Sequence, residues 1–169
     1  MRRTLVLFAS LLLLWAMVAV LNDALSEHRM YVFAGGLFVV YAALYQPRRA
    51  GLTAVMLAGL VCDAHAPIIF GTHLLLFAAG HLTLFHLRER IPRGDNVAAI
   101  VVVLFTNLTL FLVFSFTQIH ASPAPAAIWP RLLADLVWSQ VFLTLVTPWF
   151  IALQAAGMAL ARVPREDTA

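Results

Sequence analysis

Long apolar runs, broken by short polar stretches that carry arginine, set the pattern of this chain. The first run, from about Thr4 to Leu21, has close to the ~20 residues that a helix needs to cross a bilayer core. A polar segment from Asn22 to Arg29 ends it. A second, shorter run from Met30 to Tyr45 holds the Gly35–Gly36 pair. It stops at Gln46-Pro47, because the residue before a proline disfavours the helical region. The third and fourth runs, Ala50 to Ala66 and Ile68 to His86, are separated by Pro67. After a loop with Arg88, Glu89, Arg90 and Arg93, the fifth run extends from Asn96 to Phe116. A turn-rich linker, Gln118 to Pro130, contains Ser122, Pro123 and Pro125. The last run, Arg131 to Ala161, measures about 46 Å at ~1.5 Å per residue, more than a ~30 Å core requires. Its first turns are expected in or beyond the interface, and Pro148 is expected to kink it. The pattern predicts an all-α integral membrane protein, one bundle of six transmembrane helices with no separate soluble domain.

Composition agrees. The chain is 63% hydrophobic and 11% charged, with mean hydropathy +0.92, whereas soluble domains are ~25% charged. The net charge is +3, and every basic residue of the Lys/Arg class is arginine. Because these arginines sit in short loops, membrane topology and anionic lipid account for them better than nucleic acid does. With six spans drawn, Arg2, Arg3, Arg48, Arg49, Arg88, Arg90, Arg93, Arg162 and Arg165 fall on one side, and Arg29 and Arg131 on the other. The positive-inside rule then makes both termini cytoplasmic. Arg2 and Arg3 before an apolar run also suit a signal peptide, but the run is long enough to cross and is expected to be a retained first helix. The single cysteine, Cys62, has no internal partner and belongs to no Cys/His metal spacing.

The candidate chemistry gathers in the hairpin bracketed by Arg48–Arg49 and Arg88–Arg93. In the third span Gly51, Val55, Gly59 and Asp63 recur every four residues beside Ala50, Ala54, Ala58 and Cys62. This is a smooth face that another helix backbone can approach closely. It serves packing within the chain, or docking of a partner helix with Asp63 as a polar anchor. Asp63 lies about 21 Å from Arg49 along the axis, near the outer turn. A carboxylate at the centre of a helix in lipid costs at least ~3 kcal/mol, so it is expected to cap the turn, to accept backbone hydrogen bonds, to pair with His65 or His73, or to meet a partner. His73, His81 and His86 follow at spacings that do not bring their rings to one face at one depth, so neither a metal site nor a catalytic site is expected. Asn107 is expected to bond across helices. Asp135 is explained by a helix-surface ion pair with Arg131 four residues earlier. Ser139 and Gln140 continue the polar side of that helix.

The pattern Arg49-x-Gly51, Gly59-x-x-x-Asp63, Gly71 and a second span ending in Arg88 resembles the rod shape-determining MreD family. In this sequence the turn reads Ala64-His65-Ala66-Pro67 and Phe70-Gly71, and histidines such as His73 lie within the spans. The resemblance implies a non-enzymatic subunit of the bacterial inner membrane, without a cofactor, that serves lateral peptidoglycan synthesis and cell shape. Its implied partners are the single-span protein MreC and, through it, a RodA-type polymerase with its transpeptidase and cytoplasmic MreB filaments. The family's fold is similar to the substrate-binding subunits of energy-coupling-factor transporters. That supplies the alternative, a vitamin-type solute-binding subunit. Such subunits dock through alanines four apart on the first helix, and Ala9, Ala16 and Ala19 offer no such pair.

Overall fold

The computed structural model describes residues 1–66, 68–92, 95–119 and 125–162. Pro67, Arg93, Ser122, Pro123 and Arg165 lie outside the described residues. The chain is helical, with no strand among the described residues. Its elements are α1 (Arg2–Ser26), α2 (Gly35–Tyr45), α3 (Arg48–His65), α4 (Thr72–Leu87) with a 3-10 turn at Arg88–Arg90, α5 (Asn96–Ile119) and α6 (Pro125–Leu160). Three stretches are long and apolar enough to cross a membrane: Arg2–Ser26, Asn96–Thr117 and Ile128–Leu160.

Several boundaries differ from the expectation: α1 continues past Leu21 to Ser26, through part of the polar segment expected to end it, and α4 begins at Thr72 rather than Ile68. Met30 to Ala34 are not helical, and α2 keeps only 11 residues. Two effects hold this segment open. Glycine at positions 35 and 36 weakens helix initiation, and side chains of other helices take the backbone N–H groups of residues 31–33. The helix expected from Arg131 begins at Pro125, within the expected linker. Proline suits a first helical position, where its missing N–H bonds nothing anyway. The element then runs as one helix through Pro130 and Pro148. Near Pro148, the Thr144 and Thr147 hydroxyls bond back to the Gln140 and Leu143 carbonyls.

The core is built around α2, in which Gly35 through Leu44 are all buried. A helix apolar on every side requires cover on every side, and α3, α4, α5 and α6 supply it. α1 is peripheral. It buries Leu7, Leu11 and Leu14, a single stripe in its first half, and nothing beyond. Side-chain contacts give an alternating up-and-down arrangement. Arg88 Nη1 reaches the Gln46 carbonyl at 3.5 Å, and Gly157 lies against Val6, so the first turns of α1 and α3 share an end with the last turns of α2, α4 and α6. At the opposite end the residue 31–34 segment meets Asp135 and Ser139 of α6 and Asn22 of α1.

Candidate functional site

Asp63, one turn from the C-terminus of α3, points at the start of α4. Its Oδ1 accepts hydrogen bonds from the His73 backbone N–H at 2.8 Å and from His73 Nδ1 at 3.0 Å. Its Oδ2 accepts from the Gly71 and Leu74 backbone N–H groups, both at 3.1 Å. The first N–H groups of a helix have no partner inside it, and a carboxylate there also meets the positive end of the helix dipole. Asp63 therefore caps α4 from another helix. Three of its four donors are backbone groups that can only donate, and His73 Nδ1 completes the set. At 3% exposure the side chain has no capacity left for an external partner.

Two glycines make this geometry accessible. A Cβ on Gly59 would lie 2.7 Å from Leu74 Cα and 2.9 Å from Leu74 N. Only glycine lets the α3 backbone come close enough for Asp63, one turn further on, to reach across. Gly71 adopts φ 97°, in the left-handed region, with open space around it. Conformation, not crowding, selects glycine there. Further down α3, a Cβ on Gly51 would meet His81 Cε1 at 2.6 Å and the Ala42 carbonyl at 2.7 Å. The small-residue face of α3 is thus filled by α4, α2 and α1 of the same chain, and no partner helix can occupy it. Gly51, Gly59, Asp63, Gly71 and His73 converge on the α3–α4 contact. Arg49 does not: it is exposed at the far end of α3, where its carbonyl accepts the Thr53 hydroxyl.

A second polar arrangement, less visible in the sequence, holds the non-helical segment ahead of α2. Tyr31 N–H donates to Asp135 Oδ1 at 3.0 Å, and Phe33 N–H donates to Ser139 Oγ at 2.9 Å. The Asn22 amide clamps Val32, accepting from its N–H at 2.8 Å and donating to its carbonyl at 3.0 Å. Gly36 N–H donates to Asn107 Oδ1 at 3.0 Å, the expected cross-helix bond. Asp135 does pair with Arg131, at 3.9 Å, as the spacing predicts. At 5% exposure, however, it is buried rather than on the surface, and it also holds Tyr31. The i, i+4 spacing of Asp135 and Ser139, two hydrogen-bonding side chains on one face of an apolar helix, was the available sign.

Between this segment, the second half of α1 and the Asp63 end of α3 and α4 lies a cavity of about 250 Å³. Trp15, Phe33, Phe38 and Phe77 form aromatic walls, and Cys62, His65 and His73 also face it. It lies where α1 buries no residue beyond Leu14 and touches the bundle through Trp15, Val18 and Asn22. At the mouth the Trp15 and His65 rings are in contact, 4.5 Å between centroids. The Asp63–His73 pair has the form of a base with its orienting acid, but the nearest hydroxyl in sequence, on Thr72, is bonded to the Ile69 carbonyl. No group of three His, Cys, Asp or Glu among the described residues is placed to hold a metal ion.

The geometry defines a class: a helical bundle with, among the described residues, three stretches long and apolar enough to cross a membrane, a carboxylate-capped hairpin and an aromatic cavity at one end. No family model, curated protein or solved structure matches the chain.

Proposed function

We propose that the chain is a non-enzymatic scaffold subunit of the bacterial elongation machinery, an MreD-like protein of the inner membrane. In this reading the bundle crosses six times with both termini in the cytoplasm. It binds an MreC-like single-span protein and, through that partner, works with a RodA-type polymerase, its transpeptidase and MreB filaments. Two features support the topology. Arg2, Arg3, Arg48, Arg49, Arg88, Arg90 and Arg162 gather at one end, and Arg29 and Arg131 at the other. The short α2 spans about 16 Å as helix, roughly half of a ~30 Å core, and the non-helical residues 31–34 precede it. Non-helical backbone at membrane depth is tolerated where protein buries it, and Val32, Phe33 and Ala34 are buried.

The observation that carries the scaffold reading is how the hairpin's polar groups are used: Asp63, Gly59 and Gly71 all serve to lock α3 to α4. What the bundle offers outward is apolar. On α6, Leu133, Val137, Val141, Leu145, Trp149 and Leu153 are exposed in four-residue steps, the ridge that helix–helix packing uses. The test is co-expression with the MreC-like protein of the same genome and purification through a tag on this chain. A stoichiometric complex is expected, weakened by Val141→Arg on the ridge. No recovery of the partner, in a preparation where this chain is folded, overturns the reading. The cavity beside His73 is the one observation that favours a solute-binding transporter subunit instead.

A further inference from the structure

We propose that the cavity between α1 and the residue 31–34 segment is a binding site for a small planar ring compound that carries an N–H or O–H donor. The proposal holds for a scaffold and for a transporter subunit alike.

Size and wall chemistry come first. About 250 Å³ lies just below the ~300–1,000 Å³ of sites for drug-sized molecules, which limits the guest to one or two rings. Trp15, Phe33, Phe38 and Phe77 enclose it, and flat aromatic faces favour a flat guest through offset or edge-on ring contacts.

Polarity then selects the guest's polar edge. In both cavity histidines the hydrogen bond at Nδ1 decides what Nε2 can do. His65 Nδ1 lies 3.0 Å from the Val61 carbonyl, which only accepts, so Nδ1 carries the proton. His73 Nδ1 lies 3.0 Å from the Asp63 carboxylate, which already receives three backbone donors, and it too carries the proton. In the Nδ1–H tautomer Nε2 of each ring is an acceptor, and no described residue bonds either one. The Asn22 amide uses both its oxygen and its nitrogen on Val32. The Tyr31 hydroxyl and Cys62 thiol can turn either way. The cavity thus shows one buried acceptor, on His73, and a second on exposed His65 at its mouth, a surface complementary to a ring with a donor.

Indole is a suitable probe, with 1-methylindole as the matched compound that lacks the N–H. The full chain is placed in phospholipid nanodiscs, and radiolabelled indole is measured by equilibrium dialysis against protein-free nanodiscs. In parallel, alkylation of Cys62, the single cysteine, by N-ethylmaleimide is followed by mass spectrometry to locate the site. One saturable indole site per chain is expected, with slowed alkylation of Cys62 at the same concentrations. 1-Methylindole is expected to compete about ten-fold more weakly, the order of one lost hydrogen bond. Ala19→Trp, an exposed position at the cavity wall, is expected to fill the space and abolish binding while the far-UV spectrum stays unchanged. His73→Gln, which removes the ring acceptor, is expected to weaken indole and leave 1-methylindole unaffected. Equal binding of the two compounds, indole uptake no greater than in empty nanodiscs, or full binding by Ala19→Trp overturns the proposal. These outcomes do not depend on whether an MreC-like partner is recovered.

Discussion

At the level of single residues, Asp63 and Gly59 act as one device. Replacing Asp63 with alanine leaves three backbone N–H groups, one buried and two half-buried, without their acceptor. A loss of about 2–4 kcal/mol is expected, combining a removed helix cap with unsatisfied donors. Asp63→Asn should rescue little, because the amide NH2 would face donors at one of the two oxygen positions. Both are checked by unfolding in mixed detergent micelles, and full rescue by asparagine would contradict the four-donor geometry. Gly59→Ala is expected to cost about 1–3 kcal/mol through overpacking, since the added carbon meets the backbone of Leu74, which cannot swing away. Thermal unfolding of Gly59→Ala beside Ala58→Gly separates this steric effect from a general change in helix propensity. Much of this site was legible beforehand. Glycine and aspartate at four-residue spacing in an apolar run require a close neighbour and a polar partner, and both exist. The sequence left open whether that neighbour was internal, because a smooth face looks the same whichever helix covers it.

Among the elements, each of the five longer helices contains most of one apolar run, since a run of ~20 apolar residues has few alternatives in lipid, though α1 and α6 extend past theirs by five or six residues at one end. The exception is the stretch from Met30 to Ala34. Hydropathy reads it as helix because Tyr, Val, Phe and Ala are apolar, and hydropathy carries no information about which side chains elsewhere take the backbone. The bonds come from Asn22, Asp135 and Ser139, up to 106 positions away. If Ser139 fixes this segment, Ser139→Ala should speed amide hydrogen exchange at Phe33 and its neighbours by about ten-fold, roughly one hydrogen bond, and leave α3 and α4 protected. Unchanged exchange at residues 31–34 would show that packing alone holds them. The cavity was equally hidden, because nothing in the apolar run shows that α1 buries no residue beyond Leu14.

For the whole molecule, charge sorts the ends. An alternating bundle with seven described arginines at one end and two at the other predicts an orientation that reporter fusions can read. Fusions after Arg49 and Arg90 should report cytoplasm, and an insertion between Ala64 and His65 should report the far side. The opposite result at Ala64 would overturn both the orientation and the MreD-like reading. The count of crossings rests on the same assay, with fusions after Arg29 and Arg131 expected on the far side.

The cap that joins α3 to α4 also bears on biogenesis. Asp63 leaves the ribosome before the backbone donors of residues 71–74 that neutralise its demand for hydrogen bonds, and α3 alone is not among the stretches apolar enough to cross a membrane. Lateral exit of α3 from the translocon on its own would expose a carboxylate to acyl chains, at ~3 kcal/mol or more. In the six-crossing reading the two helices are expected to enter the bilayer together, as a pre-joined pair. In a chain ended just after Ala66, α1 should still integrate while α3 fails to cross, so that a reporter fused at Ala66 stays in the cytoplasm.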